Sequence, residues 1–349
     1  METFIVLSPG FPADENDSTC LPPLQKFALS LKQEFPNIEF YFIAFQYPFQ
    51  KKEYTWHGMN VICMGGANQS GIKRIITWIK VFRKLRRLKK QKKIIGLLSW
   101  WLTETALIGK IFSKLHGLQH YMWLNGQDAK KTNQYINRIK PKANEIIAMS
   151  DFLKETYFKN HGEKPFMVAE NGVWTKDYPS FNHGKRSYDI IAVGSLIAIK
   201  NYDLFIDIIS ELVKHHPNLR VGLAGKGALE YDLKSKVQKM NLENNIHFLG
   251  LLEHHAVLEG MNDSKIFLHT SHYEGNSTVL MEALYCGCYV FSTQALANRE
   301  VERLKILSEK ASFVKAISDT LQLKSLVHRP VLFNAMPDTA KKIMALYLP

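Results

Sequence analysis

Two glutamates, Glu274 and Glu282, flank a glycine and a run of small polar residues in the stretch His272-Tyr-Glu-Gly-Asn-Ser-Thr-Val-Leu-Met-Glu-Ala-Leu-Tyr-Cys-Gly-Cys288. The preceding Lys265–Ser271, with Ile266–Leu268 at its centre, reads as a short buried strand. Val279–Tyr285 is apolar on a helical period and ends at Gly287. Glu274 is therefore expected in a strand-to-helix loop and Glu282 inside the new helix. Gly275 lets backbone come close to a ligand with no Cβ in the way. The N–H groups of Asn276, Ser277 and Thr278 would lie at the positive end of the helix dipole, which suits a diphosphate. Carboxylates repel phosphate but accept strongly from hydroxyls such as sugar diols. Taken singly, Glu282 is also explained as a first-turn glutamate favoured by the dipole, and Glu274 as a solvated loop charge.

Two other loops have the same strand–glycine–helix form, and ligands of open α/β sheets bind at such carboxyl ends. In Val193-Gly-Ser-Leu-Ile-Ala-Ile-Lys-Asn-Tyr-Asp203 the strand ends at Gly194, and Lys200 precedes a helix that Asn201 could cap. A lysine there can neutralise phosphate as a compact point charge, although a surface lysine beside a cap would look the same. Gly222-Leu-Ala-Gly-Lys-Gly227 lacks both the G-K-[ST] element and the G-x-G-x-x-G spacing, so a tight turn is its plain meaning. Cationic and backbone donors for a diphosphate, together with two carboxylates for hydroxyls, describe a sugar nucleotide.

The elements that must hold these loops alternate along the chain. At 349 residues, with 46% hydrophobic and 22% charged residues, the chain has a globular composition and room for two domains. Strands are expected at Phe4–Ser8, Ile38–Phe45, Asn60–Met64, Ile94–Ser99, His120–Asn125, Glu145–Met149 and Met167–Glu170, with helices between them. The alternation breaks at the polar Asn182–Ser187 and restarts at Tyr188–Gly194. It continues through Arg220–Ala224, Ile246–Leu249, Lys265–Thr270 and Tyr289–Ser292. Strands alternating with helices predict parallel sheets covered on both faces, hence two doubly wound α/β domains joined near residue 180. A final helix over Pro337–Tyr347 is expected to be capped by Asp338.

Several classes are disfavoured. No apolar run approaches the roughly 20 residues a bilayer span needs. The N-terminal Glu2–Gly10 has no basic n-region and reads as a first strand, so a cytoplasmic location is expected. The four cysteines, 20, 63, 286 and 288, form no C-x-x-C pair, and the 13 histidines show no metal-ligand spacing, so no metal and no disulfide framework is expected.

From Tyr188 to about Thr293 the chain resembles the C-terminal domain of family-4 glycosyltransferases, retaining enzymes of the GT-B fold (glycosyl transferases group 1). The residues that carry the resemblance are V-G-S-L-I-A-I-K-N with Gly194 and Lys200, A-G-K-G-A-L, N-I-H-F-L-G-L-L, and S-H-Y-E-G-N-S-T-V-L-M-E-A-L-Y-C-G. The last of these matches the family's E-x7-E motif. The N-terminal half is similar more weakly, in S-P-G-F-P, W-L-N-G-Q-D-A-K and E-N-G-V at 170–173. The resemblance implies two Rossmann-like domains facing across a cleft. Residues 1–180 would be acceptor-binding and 181–330 would bind the nucleotide-sugar. A C-terminal helix, 331–349, would pack back toward the first domain.

The resemblance also implies roles. Glu274 would bind hydroxyls of the transferred sugar, and Lys200 would stabilise the departing diphosphate. Glu282 would take the ribose diol. Gly194, Ser195 and the Gly275, Asn276, Ser277 and Thr278 backbone would hold phosphate or sugar, and Phe248, Leu249, Gly250 and Leu251 would seat the base. Gly10, Asn125, Gln127, Asp128 and Asn171 would line the acceptor side. Ser195 stands where many members carry arginine. Asn125 or Gln127 stands near the place of a histidine common in the family, so no catalytic histidine is assigned. The implied activity is transfer of a hexose-type sugar from a UDP- or GDP-linked donor to a hydroxyl, with retention, in bacterial polysaccharide or glycolipid assembly. No cofactor is implied beyond the donor. Acceptor contacts are expected on variable loops such as Ala13–Leu21 and Gln50–Trp56. A sugar-nucleotide-binding protein without transfer is the alternative.

The net charge of +13 comes mostly from residues 73–93, whose 11 basic residues and no acid, if removed, leave +2. This helix is amphipathic: Ile75, Trp78, Ile79, Phe82 and Leu85 are expected on the sheet-facing side, with Lys80, Arg83, Lys84 and Arg87 opposite. Its basic face suits an anionic membrane surface, which fits a lipid-linked glycan acceptor and a site at the inner face of the plasma membrane. A nucleic-acid-binding protein is the rival from a different class. It would need base-stacking aromatics or a recognised module beside the charge, and neither is present.

Overall fold

In the computed structural model, residues 1–182, 184–323 and 326–348 are described. His183, within the polar segment expected at 182–187, and the terminal Pro349 lie outside the described residues. The chain forms two compact units, Met1–Gly172 with Asn334–Pro349, and Val173–Phe333.

The sheet of the first unit runs in the spatial order β3 (Lys52–Trp56), β4 (Met59–Cys63), β2 (Ile38–Tyr47), β1 (Glu2–Gly10), β5 (Lys93–Trp100), β6 (His120–Leu124), β7 (Ile146–Ala148), β8 (Met167–Val168). Every pairing is parallel except β3 with β4. Its helices are α1 (Pro22–Glu34), α2 (Gly71–Gln91), α3 (Glu104–His116), the short α4 (Ile136–Ile139), α5 (Asp151–His161) and, from the chain's end, α11 (Met336–Met344). Central strands are buried on both faces, as parallel sheets between helices require: Phe4, Ile5, Val6 and Leu7 are all 0% exposed.

The second unit is a wholly parallel sheet in the order β11 (Ile246–Gly250), β10 (Val221–Ala224), β9 (Tyr188–Val193), β12 (Ser264–His269), β13 (Tyr289–Ser292), β14 (Leu304–Ile306). Around it lie α6 (Tyr202–Val213), α7 (Glu230–Lys239), α8 (His254–Asn262), α9 (Thr278–Tyr285) and α10 (Lys310–Leu321). The strand order reverses between β9 and β12, so the loops leaving those two strands open the crevice where such sheets bind ligands.

Several expectations need correction. Lys52–Trp56, expected as loop, is an edge strand, antiparallel to β4. The boundary expected at 180/181 falls at Gly172/Val173, because Val173 is buried in the second unit's core and Tyr178 packs on it. The later switch lies between Phe333 and Asn334. There, Tyr347 beyond α11 is inserted under the first sheet, its hydroxyl donating to the Leu97 carbonyl at 2.6 Å. Helix α11 starts with Ala335 as its cap and has no side-chain cap bond, and Asp338 lies inside the first turn. Nor does the Asn201 side chain cap α6: its backbone is left-handed, with φ 51°.

The rotation of α2 also differs from expectation. The helix buries Thr77, Val81, Leu85 and Leu88, whereas Ile75 and Ile79 are 49% and 45% exposed. The cause is polar. Glu104, buried at the start of α3, accepts the Trp78 indole N–H at 2.5 Å and lies 3.9 Å from Arg74. Turning Arg74 and Trp78 inward turns the isoleucines out. Thr77 tolerates burial because its hydroxyl donates to the Lys73 carbonyl.

Candidate active site

The reversal point of the second sheet brings Lys200 and Glu274 together. After β9 the chain passes Gly194 and makes a single turn, Ala198–Lys200, before α6. That turn is fastened to the loop after β12. The His272 N–H donates to the Ile199 carbonyl at 2.8 Å, and the Thr270 hydroxyl donates to the Lys200 carbonyl at 3.0 Å. The Lys200 ammonium consequently lies 2.6 Å from Glu274 Oε1, with both side chains mostly shielded from solvent.

His269, the last residue of β12, completes the group. Its Nε2 is 3.2 Å from Glu274 Oε1 and 3.0 Å from the Ser271 hydroxyl, while Nδ1 is 3.0 Å from the Ser292 hydroxyl. Burial by itself would raise the Glu274 pKa, but the His269 hydrogen bond and the nearby Lys200 charge outweigh it and hold the carboxyl at about 2. Glu274 is thus a fixed carboxylate, one oxygen of which is held by Lys200 and His269.

Glu282, the fifth residue of α9, is half-buried. His254, the first residue of α8, places Nε2 2.9 Å from Glu282 Oε1, and Asp177 lies 3.9 Å from its other ring nitrogen. Both predicted glutamates thus carry a histidine partner. Ser277 stands at the N-cap position of α9 and is 4% exposed, but its hydroxyl makes no cap bond and has no hydrogen-bond partner among the described residues. A polar group left unpartnered there fits an exogenous acceptor.

The glycine-rich Gly222–Gly227 loop is explained by packing. The Gly194 N–H donates to the Ala224 carbonyl and the Gly225 N–H to the Gly250 carbonyl, stitching together the ends of β9, β10 and β11. A side chain on Gly225 would drive into the Gly194 carbonyl, and one on Gly227 into the backbone of Leu196. Phe248, Leu249 and Gly250 are half-buried on β11, and Leu251 just beyond is 71% exposed. Ser195 is exposed.

Gly10, Asn125, Gln127, Asp128 and Asn171 belong to the first unit. Gly10 ends β1 and is buried; Gln127 is exposed. Asn125 donates from its side chain to the Trp123 carbonyl at 2.6 Å. The expectation that Asp128 faces an acceptor is corrected. Its carboxylate is 6% exposed and accepts the backbone N–H groups of Leu102, Asn125 and Gly126 at 3.0, 3.2 and 2.7 Å. All its capacity goes into shaping the loops after β5 and β6. Asn171 is also buried, and its side-chain oxygen is unpartnered among the described residues.

Sequence reasoning missed His269 and His254. His269 could have been suspected as a polar residue closing the apolar Ile266–Leu268 run, whereas nothing in the spacing points to His254. Among the described residues no group of three or more His, Cys, Asp or Glu could hold a metal ion, and no helix is long and apolar enough to cross a membrane.

Residues 175–328 match the family model described as "Glycosyl transferases group 1". The second unit is a glycosyl transferases group 1 domain. The curated relatives include the phosphatidylinositol N-acetylglucosaminyltransferase gpi3 subunit of Schizosaccharomyces pombe, 30% identical over 175 residues, which are 49% of this chain and 38% of that protein. A phosphatidylinositol N-acetylglucosaminyltransferase subunit from Homo sapiens is 31% identical over 196 residues, 55% of this chain and 40% of that protein. The chain thus spans about two-fifths of the length of these relatives. Among solved structures, sucrose-phosphate synthase from Thermosynechococcus elongatus superposes with a TM-score of 0.73 at 13% identity, covering 99% of this chain and 95% of that one. Anabaena HepE in complex with UDP and glucose gives 0.68 at 15% identity, with 99% and 95% coverage. Both units thus have the fold of GT-B proteins, and the group 1 domain is the unit that holds Lys200, Glu274 and Glu282.

Proposed function

We propose that the protein is a retaining glycosyltransferase of family 4 that moves a hexose-type sugar from a nucleotide-linked donor to a hydroxyl of a glycan or lipid-linked glycan, without a metal. The observation that carries this reading is the group formed by Lys200, Glu274 and His269 at the reversal point of the second sheet. Lys200 would meet the diphosphate. Glu274 would accept hydroxyls of the transferred sugar through the carboxylate oxygen that His269 and Lys200 leave open. Glu282, steadied by His254, would accept the ribose diol. The Gly275–Thr278 amides at the start of α9 would add donors for phosphate or sugar.

Retention would follow a same-face route. The bond from the anomeric carbon to the diphosphate oxygen breaks, and the acceptor oxygen bonds to that carbon from the same side. The acceptor proton passes to the departing phosphate oxygen. Positioning and charge stabilisation then supply most of the rate. Relatives named N-acetylglucosaminyltransferases make UDP-linked N-acetylhexosamine the first donor to try, ahead of UDP- and GDP-hexoses. A setting at the inner face of the plasma membrane, in polysaccharide or glycolipid assembly, goes with this reading.

Ser195 in place of the family's frequent arginine leaves one cation fewer and favours binding without transfer as the second reading. Turnover separates the two. Release of nucleoside diphosphate from one of these donors, with the product's anomeric configuration matching the donor's by NMR, supports retaining transfer. An inverted product excludes retention. A donor that binds with no release on any acceptor supports the binding-only reading.

A further inference from the structure

The outward side of α2 has a composition that its role in the core does not explain. Ile72, Ile76, Ile79, Arg83, Arg86 and Lys90 recur at intervals of four and three residues, which places them on one stripe of the helix. All six are exposed, the isoleucines by 76%, 44% and 45%. The stripe is apolar over its first two turns and cationic over the remainder. Ile75 widens the apolar half, and Lys80 and Arg87 widen the cationic one.

These charges are not used internally. Lys84 pairs with Glu53 and Arg74 with Glu104, but Lys80, Arg83, Arg86, Arg87 and Lys90 make no ion pair among the described residues. Burial of Glu104 holds Arg74 and Trp78 inward, so the exposed isoleucines are a fixed consequence of the helix's anchoring. Helix α3 covers the same sheet face, since Val81 and Leu85 share one core cluster with Ile108 and Phe112. It too leaves apolar residues outside, Ile111 and Leu115 at 44% and 66% exposed, with exposed Lys114 beside them.

We infer that α2, supported by the outer side of α3, is a docking surface for a bilayer carrying anionic lipid headgroups. Arg83, Arg86, Arg87 and Lys90 meet the headgroups, and Ile72, Ile75, Ile76 and Ile79 enter the boundary between headgroups and acyl chains. Isolated exposed apolar residues need no explanation, but four isoleucines within eight positions of one helix do. An interface is the environment that rewards an apolar stripe continued by an unpaired basic one. A nucleic acid would use the cations and leave the isoleucines in water. This inference rests on the lipid-linked acceptor proposed above and extends it to a surface outside the group 1 domain.

The test uses the full chain without donor or acceptor, so it succeeds or fails independently of transfer. Co-sedimentation with phosphatidylcholine vesicles and with vesicles containing phosphatidylglycerol is measured at low and high salt. Each experiment is repeated for Ile72→Ser/Ile76→Ser/Ile79→Ser and for Arg83→Gln/Arg86→Gln/Arg87→Gln/Lys90→Gln. Unchanged thermal unfolding checks that both variants fold. The expected result is more than about tenfold preference for anionic vesicles, lost in the arginine/lysine variant. The salt-resistant remainder should be lost in the isoleucine variant. Equal binding to both vesicle types overturns the inference. So does an isoleucine variant that binds as the parent does, or retention of duplex DNA at physiological salt in place of vesicles.

Discussion

The loop after β6 in the first unit and the loop after β12 in the second are built alike and use their carboxylates in opposite ways. Each leaves the carboxyl end of a parallel strand and carries one acid near a glycine. Asp128 turns inward and spends its lone pairs on three backbone N–H groups. Glu274 is held by two side chains, Lys200 and His269, on one oxygen only. A carboxylate saturated by backbone shapes a loop, whereas one steadied by side chains can exchange those partners for a ligand. Side-chain donors can move with the ligand's arrival, but backbone donors cannot leave without unfolding the loop.

The comparison can be broken by substitutions that ought to fail differently. Glu274→Ala should lower transfer by about 10²–10³-fold, the loss usual for one transition-state contact, while thermal unfolding still shows a folded chain. Full transfer by this variant would remove Glu274 from the site. Asp128→Ala should behave in the reverse way. Orphaning buried N–H groups should cost on the order of 3 kcal/mol in urea unfolding, with UDP affinity of the surviving folded protein unchanged.

Acid sharpens the same contrast. The Glu274 carboxyl titrates at about 2 in the folded chain against an ordinary 4.5. A folded pKa below the unfolded one gives a contribution that is complete above about pH 4.5 and is lost as pH falls through about 2, on the order of 3 kcal/mol in all. Glu274→Gln should therefore flatten the fall in urea midpoint across that window. The smallest effect belongs to His254. His254→Gln should remove roughly 1 kcal/mol of steadying from Glu282, seen as about a fivefold rise in donor KM with kcat nearly unchanged.

Much of the site was legible because its signals are local. Glu274, Gly275 and Glu282 lie within nine positions, and Lys200 sits one turn after a strand-ending glycine. The partners were not legible, since His254 reaches Glu282 from another helix and Ser292 reaches His269 from another strand. The three-residue, mostly exposed edge strand β14 was not expected from the sequence, but the other strands inside both sheets could be read from apolar runs. The edge strand β3 could not, because Lys-Glu-Tyr-Thr-Trp is mostly solvent-facing and resembles a polar loop. The facing of α2 misled for a related reason. Apolar count pointed to Ile75 and Ile79, but a single buried carboxylate 26 residues away from Trp78 decided which side turned inward. Asp128 misled likewise: its type suggests chemistry, and only its three backbone donors reveal a structural use.

The most direct measurement is the melting temperature of the full chain against a panel of UDP-, GDP- and ADP-sugars. A saturable upward shift with a UDP- or GDP-sugar, abolished in Lys200→Ala, is the predicted result. No shift with any nucleotide sugar, or an equal shift in Lys200→Ala, would contradict a diphosphate site at the reversal point of the second sheet.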